Sequence, residues 1–209
     1  LDSLTDIQVL APTHKGPAGA IEINRAVQKR LAHGGPSVVV GDHRFGLGDR
    51  VMLIRNDYDR DLFNGDMGRV LDIMESSQAV VAEFEGRRHT YSGKQLADLV
   101  PAWCITVHKS QGGEFPAVIL ALYMHHWMLL RRQVLYTAIT RAKRLLVIVG
   151  SQAACRKAVA QNQMAQRFGH LADALSGRSP VRWSPPPGPD AAQDVNESTN
   201  DVGIGEDSG

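Results

Sequence analysis

The stretch that decides the fold runs from Ile105 to Phe115 and reads ITVHKSQGGEF. Its apolar beginning is typical of a buried strand, and the strand leads directly into polar, basic and glycine residues. Ligands of open α/β sheets bind at the carboxyl ends of strands, where loops expose backbone N–H groups and side chains. Alternation along the strand places Thr106 and His108 on one side and leaves Lys109 and Ser110 free to contact phosphate oxygens. A solvated strand end followed by a turn is the alternative interpretation.

The flanking segments predict an α/β domain with a parallel sheet. Upstream, a strand at Ile7 to Leu10 is followed by a loop rich in Pro and Gly. A helix then runs from about Ala18 to Leu31, and its apolar positions are Ile21, Ile23, Val27 and Leu31. Downstream we expect strands at Ala117 to Leu122 and Arg144 to Val149, and helices at Leu129 to Ala142 and Ala153 to Leu175. Apolar strands without alternation are usually buried on both faces of a parallel sheet.

The segment between these halves has a different character. Short β-rich runs at Arg50 to Arg55, Gly68 to Met74 and Ala79 to Phe84 predict a small β-barrel. Asn64-Gly65 and Glu85-Gly86 are expected to form tight hairpin turns. We therefore predict an α/β domain formed by residues 1–44 and 99–176, an inserted barrel at residues 45–98, and a disordered acidic tail at residues 177–209.

The charge of the chain is unevenly distributed. The 209 residues carry 23 basic and 22 acidic side chains, a formal net charge of +1. Six of the acidic residues and none of the basic ones lie between Ser184 and Gly209, so residues 1–183 carry +7. A basic body is compatible with a polyanionic partner, although many proteins with this surplus bind none.

Composition excludes several classes of protein. Cys104 and Cys155 are too few and too far apart for a disulfide framework or a zinc site. No metal site is predicted, because adjacent histidines such as His125-His126, without further ligands, are usually an exposed loop. For Trp103, Trp127 and Trp183 we favour packing over stacking on bases. No apolar run approaches the length of a membrane span, so we expect a cytoplasmic protein; its first residue, Leu1, indicates a fragment or a processed product.

A second informative stretch, Leu135 to Arg144, reads LYTAITRAKR. Helical spacing places Tyr136, Thr137, Thr140 and Arg141 on adjoining faces of one helix. A guanidinium at a domain edge can present a planar, permanently charged fork to the charge that develops in a phosphoryl transition state. A solvated arginine that balances a helix dipole is the alternative.

Together, TVHKSQGGEF (Thr106 to Phe115) and YTAITRAK (Tyr136 to Lys143) closely resemble motifs V and VI of the RecD-type branch of superfamily 1 DNA helicases. The resemblance extends to APTHKGPAG, to Asn24 and Gln28, and to NDYDRDLFNGDMG in the predicted barrel, and covers about Gln8 to Gly150. It implies that the α/β part is the second RecA-like motor domain, with an inserted Src-homology-like β-barrel.

The resemblance also implies roles for individual residues. Arg141 would be the arginine finger that reaches the γ-phosphate of ATP, which is bound with Mg²⁺ between this domain and a first RecA-like domain. Gly112 and Glu114 would line the nucleotide, and Gln111 would connect nucleotide and DNA. The expected contacts with single-stranded DNA are Thr13, His14, Lys15, Thr106, His108, Lys109 and Ser110.

One element of an ATPase is missing from the sequence. No G-x-x-x-x-G-K-[ST] segment occurs in the 209 residues, so they contain no phosphate-binding loop. The motor interpretation therefore needs an N-terminal RecA-like domain as partner, and subunits of a nuclease or repair complex are further possible partners. Two alternatives remain: a non-catalytic DNA-binding or regulatory module, and, less favoured, a peptide-binding barrel.

Overall fold

The computed structural model describes residues 6–31 and 35–162 of the chain. In chain order the strands and α-helices are β1 (Ile7–Ala11), α1 (Ala20–Leu31), β2 (Ser37–Val40), β3 (His43–Gly46), β4 (Arg50–Leu53), β5 (Met67–Met74), β6 (Ala79–Phe84), β7 (Arg87–Tyr91), β8 (Leu99–Pro101), β9 (Cys104–Thr106), β10 (Phe115–Leu122), α2 (Arg132–Ile139), β11 (Ala142–Gly150) and α3 (Gln152–Ala160). Short 3₁₀-helices lie at Gly93–Asp98 and Met124–Leu129. The predicted tail, Trp183 and the predicted helix beyond residue 162 lie outside the described residues.

A four-stranded sheet has the order β11-β10-β1-β9, and every pairing in it is parallel. This confirms the predicted parallel sheet. Leu10, Val118 and Leu120 of the strands form one buried cluster with Leu135 of α2 and Ala154 of α3. Burial of each leucine or valine side chain in this cluster stabilises the fold by about 1.5–3 kcal/mol.

The strand β11 differs from its prediction. Leu145, Val147, Ile148 and Val149 are between 40 and 46% exposed, although we expected this strand to be buried on both faces. The reason is position, because β11 lies at the edge of the four-stranded sheet and pairs only with β10 within the described residues. An apolar run therefore identifies the strand but not its neighbours.

The helix α1 packs through polar as well as apolar side chains. Its buried residues include Ile21, Asn24 and Gln28, whereas the predicted apolar positions Ile23 and Val27 are only half-buried. Asn24 donates its side-chain amide to the carbonyl oxygens of Pro101 (3.1 Å) and Cys104 (2.8 Å), and it accepts a bond from the Cys104 N–H (2.8 Å). The helix lies over the junction between β8 and β9. Its inner face supplies hydrogen bonds to backbone groups at this junction, because buried backbone groups need a partner.

The predicted barrel is an antiparallel sheet with the order β7-β6-β5-β4-β8. Its buried cluster also contains Val38 and Phe45, which come from the hairpin β2–β3. The predicted limits, residues 45 and 98, therefore fall within or beside elements that pair or pack with this sheet. The division into 1–44 with 99–176 and 45–98 stays a prediction.

The two predicted hairpin turns have different outcomes. Glu85 and Gly86 both have positive φ angles, 49° and 79°, and connect β6 to β7 directly, as predicted. Asn64-Gly65 forms no tight hairpin: only Gly65 has a positive φ (104°), and residues 54–66 form a longer loop between β4 and β5. Backbone bonds between Asp57 and Leu62 (2.8 and 3.0 Å) close this loop internally.

Candidate functional site

The loop at residues 107–114 crosses the parallel sheet from one end to the other. It leaves β9 beside the carboxyl end of β1, where Thr106 pairs with Ala11, and the Val107 N–H donates to the Ala11 carbonyl (3.0 Å). It enters β10 at the amino end, where Phe115 pairs with Ala142. One short segment can therefore contact ligands at both ends of the sheet.

Basic side chains gather at the carboxyl end. His14 and Lys109 line a narrow cleft together with Thr106 and with His43, which projects from β3. His14, Lys15, His108 and Lys109 are exposed, and Thr106 and His43 are partly buried. The structure thus brings together residues that are about ninety positions apart in the chain. His43 was not predicted, because nothing in its local sequence shows that the hairpin folds back here.

The electrostatics of this cluster reflect its concentration of positive charge. Partial burial, followed by the charges of Lys109 and Lys15, lowers the pKa of His14. The pKa of His43 is lowered by burial and by His14, Arg25 and Lys109, and Asp42 opposes this shift. Burial also lowers the pKa of Lys109. An anionic ligand would relieve these repulsions, because an opposite charge favours the protonated form.

Two predicted DNA contacts look different in the structure. Ser110 is only 1% exposed, and its hydroxyl donates to the Val107 carbonyl at 2.8 Å. Ser110 is therefore not presented to a ligand, contrary to the sequence prediction; it holds the turn that carries Lys109. Thr13 is partly buried, and its hydroxyl oxygen has no hydrogen-bond partner within the described residues.

Arg141 lies at the amino end of the sheet, between α2 and β11. Its side chain donates to the carbonyl of Thr137 from Nε (3.3 Å), to the Gly113 carbonyl from Nη1 (2.8 Å), and to the Thr140 hydroxyl from Nη2 (3.2 Å). A guanidinium has five N–H groups, so one on each terminal nitrogen has no acceptor within the described residues. Arg141 is thus oriented and retains donors for a ligand.

The rest of the loop lies near Arg141. The Phe115 N–H donates to the Arg141 carbonyl at 2.8 Å, which fixes the end of the loop against motif VI. Gln111, Gly112 and Glu114 are exposed, and Glu114 forms an ion pair with Lys143 at 3.3 Å. Gly112 has a φ of 87°, a conformation that favours glycine although its Cβ position is open.

His126 was predicted to be in an exposed loop, and this is wrong. The ring is 2% exposed; the Tyr123 N–H donates to Nδ1 (3.4 Å), and Nε2 lies 3.3 Å from the Pro17 carbonyl. Because Nδ1 accepts a bond, the neutral ring carries its proton on Nε2 and donates it to Pro17. His126 thereby links the segment before α2 to the loop that carries His14 and Lys15. Among residues 6–31 and 35–162, no group of three or more His, Cys, Asp or Glu side chains could hold a metal ion.

The aromatic residues divide between packing and exposure. Trp103 is buried as predicted and donates its indole N–H to Asp49 (3.1 Å), whereas Trp127 is 58% exposed and lies beneath the Lys157 ammonium. In the barrel loop, Tyr58 and Phe63 form an exposed edge-to-face pair with ring centroids 6.3 Å apart. This loop therefore presents aromatic surface to solvent.

Two family models match the chain. Residues 101–149 match the UvrD-like helicase C-terminal domain, and residues 23–84 match the SH3 domain of ATP-dependent RecD-like DNA helicases. The chain is 34% identical over 160 residues to the ATP-dependent RecD2 DNA helicase of Deinococcus radiodurans, a match that covers 77% of this chain and 22% of the relative. The chain belongs to the RecD-type DNA helicases.

A second RecD-type relative gives the same result. The RecBCD enzyme subunit RecD of Mycobacterium tuberculosis is 34% identical over 163 residues, covering 77% of this chain and 28% of the relative. The chain thus spans between a fifth and a third of the length of these two relatives.

Solved structures support the fold of this RecD-type chain. Bacteroides Pif1 bound to single-stranded DNA superposes with a TM-score of 0.57 at 17% identity, covering 82% of this chain and 46% of that one. Candida albicans Pif1 gives 0.52 at 15% identity, covering 86% and 51%. The parallel sheet accordingly has a RecA-like fold, and the antiparallel sheet is an inserted SH3-like barrel. Within the described part of the chain, no helix has the length and apolar character needed to cross a membrane.

Proposed function

We propose that this chain is the C-terminal motor half of an ATP-dependent DNA helicase or translocase. The observation that carries the proposal is the loop at residues 107–114, which joins a basic cluster at one end of the sheet to Arg141 at the other. A motor must couple nucleotide chemistry to its grip on DNA. This loop is a short covalent path between the two.

At the carboxyl end, single-stranded DNA is held by the basic and hydroxyl side chains Thr13, His14, Lys15, Thr106, His108 and Lys109. Exposed His14, Lys15, His108 and Lys109 can donate to phosphate oxygens, the usual way in which a protein positions a strand without reading its sequence. Ser110 acts indirectly, because it fixes the turn before Gln111.

At the amino end, Arg141 acts as the arginine finger, and Gln111, Gly112 and Glu114 line the nucleotide. The two free N–H groups of Arg141 fit an anionic phosphoryl group, and its three bonds to the chain keep the guanidinium in place before the ligand arrives. ATP supplies the phosphoryl group and Mg²⁺ its charge neutralisation. The phosphate loop and the magnesium ligands belong to an N-terminal RecA-like domain, which shares the nucleotide with this one.

A second candidate is a non-catalytic DNA-binding or regulatory module that retains the fold. The basic cluster favours DNA binding in either case, because it depends on no other domain. Subunits of a nuclease or repair complex are possible partners for both candidates. The two differ in whether Arg141 ever meets a nucleotide.

The test compares the 209-residue chain alone with the same chain joined to a RecA-like domain that has a phosphate loop. Alone, the chain should bind single-stranded DNA, more weakly as salt rises, and should not hydrolyse ATP. Joined, it should show DNA-stimulated hydrolysis that disappears in Arg141→Ala. Hydrolysis by the chain alone that is lost in Arg141→Ala would contradict the proposed division of the site. DNA binding without hydrolysis in the joined protein would support the module.

A further inference from the structure

A second basic surface lies beside the carboxyl-end cluster, which is the group of side chains at the carboxyl end of the parallel sheet formed by His14, Lys15, Thr106, His108 and Lys109. A groove of about 500 Å³ separates α1 from the hairpin β2–β3, and it is lined by Arg25 and Lys29 of the helix and by Val39, His43 and Arg44 of the hairpin. This volume is within the range of small-ligand sites, roughly 300–1,000 Å³. Arg25 and Lys29 are four residues apart, so they share one face of the helix.

The groove has a fixed base. Gln28, which is 5% exposed, donates its side-chain amide to the Arg44 carbonyl and to the Asp49 carboxylate, both at 2.7 Å. Asp49 also accepts bonds from the Gly46 N–H (2.8 Å) and the Trp103 indole (3.1 Å). The helix and the hairpin are therefore held together by buried hydrogen bonds, and the groove exists before any ligand arrives.

The charges of the groove are incompletely balanced. Arg25 is paired with Glu22 (2.8 Å) and with Asp42 (3.7 Å) across the groove, and both pairs are exposed. Lys29 and Arg44 have no carboxylate partner within the described residues. These two unpaired cations can take an anionic ligand at no cost in broken ion pairs.

His43 makes the groove continuous with the carboxyl-end cluster. Its side chain lines both the groove and the cleft that contains His14, Thr106 and Lys109. Arg25, His14 and Lys109 all act on the pKa of His43, which supports their proximity. A strand that leaves Lys109 therefore meets further positive charge if it passes over His43.

We infer that the groove between α1 and the hairpin β2–β3 is a second contact for the backbone of single-stranded DNA, continuing the strand held at the carboxyl-end cluster. Lys29 and Arg44 contact phosphates, and Val39, which is 62% exposed, offers an apolar surface to a base. The inference rests on the proposed DNA-binding function and extends it. An acidic protein would also meet the cations, but continuity with the cluster favours DNA.

The test uses the 209-residue chain with a short and a long oligothymidine, of ~4 and ~16 nucleotides, the limits of site size in small single-strand-binding folds. In Lys29→Ala/Arg44→Ala, affinity for the long strand should fall roughly 25-fold at 0.1 M salt, and the slope of log K against log salt should shrink by about 1.4, whereas the short strand binds unchanged. The matched control, Arg87→Ala/Arg88→Ala, removes the same charge from β7, away from the groove, and should have little effect on either strand.

The outcomes separate this inference from the proposed function. Lys109→Ala should weaken both strands. If it does so while the groove variant behaves like its control, the groove inference is overturned and the proposed function stands. If Lys109→Ala changes neither strand, the carboxyl-end assignment fails, and the continuity argument fails with it. Competition by polyglutamate as effective as that by DNA of equal charge would overturn the choice of DNA as the ligand.

Discussion

The two ends of the parallel sheet hold their cations in opposite ways. At the carboxyl end, burial lowers the pKa of His14, His43 and Lys109, the charge of Lys109 lowers that of both histidines further, and Asp42 raises that of His43. At the amino end, Arg141 is bound by three oxygen atoms of its own chain, and Lys143 is paired with Glu114. One end has charge that a ligand must satisfy, and the other has an arginine already held in position. Binding strength is therefore expected to depend on the first end, and reaction rate on the second.

The largest effect is expected at Arg141. In an intact motor, Arg141→Ala should lower the ATPase rate at saturating DNA by about 10³ to 10⁵, the range for arginines that act on a phosphoryl transition state. Arg141→Lys should recover little, because an ammonium keeps the charge but loses the planar fork. The affinity for single-stranded DNA without nucleotide should barely change.

The matched control for this prediction is Arg144→Ala, which removes an exposed arginine three positions further along the chain. It should leave both readouts near normal. A normal rate in Arg141→Ala would instead make Arg141 a solvated arginine at a helix end, and the contrast between the two ends would disappear.

The second effect concerns Lys109. Lys109→Ala should lower the affinity for single-stranded DNA about 5-fold at 0.1 M salt and reduce the salt slope by about 0.7, the value for one phosphate contact on a single strand. Much of the ATPase rate at saturating DNA should remain. Titration of DNA at several salt concentrations measures the slope. An unchanged slope would show that Lys109 does not contact a phosphate of the DNA.

The third effect is a pH dependence of DNA binding. Because burial and neighbouring cations lower the pKa of His14 and His43 below the ordinary 6.5, both rings are mainly neutral at pH 7. As the pH falls below 6.5 they become charged, and phosphate stabilises the charged form, so affinity should rise by about 2- to 3-fold.

The double variant His14→Gln/His43→Gln should lose this rise, and His125→Gln, which changes an exposed histidine outside the cleft, should keep it. The same pKa shifts also affect the stability of the chain without DNA, which is expected to fall, not rise, as the pH falls. A histidine whose folded pKa is lowered costs stability as the pH falls, so folding should be checked at each pH. An affinity that does not change between pH 7 and 5.5 would show that neither ring contacts the DNA.

The smallest effect is expected for Lys143→Ala. The ion pair of Lys143 with Glu114 is more than half exposed on both sides, so its loss should change the free energy of unfolding by about 0.5 kcal/mol or less. Chemical denaturation measures this value. A loss of several kcal/mol would show that charge pairing, rather than the bonds of Arg141, stabilises the amino end.

Local patterns predicted the elements and the motifs but not their surroundings. The parallel strands followed from apolar runs, and the turn at Glu85-Gly86 followed from a glycine at the end of a β-rich run, because glycine tolerates a positive φ. The burial of His126, the place of His43 in the cleft and the exposed edge at β11 depend on partners distant in sequence, or on their absence. Ser110 is a local exception, because its burial is accompanied by a bond to Val107 that its residue type does not reveal. A hydroxyl in a polar loop gives no sign that a carbonyl three residues earlier will bind it.

The side chain of Asn24 has a consequence for how the domain moves. It bonds both the N–H and the carbonyl of Cys104, so a helix side chain takes the place of a neighbouring strand at that position. The amide proton of Cys104 can then exchange with solvent only when α1 lifts from the sheet. Its exchange rate therefore reports the opening of α1, the helix that follows the loop carrying His14 and Lys15.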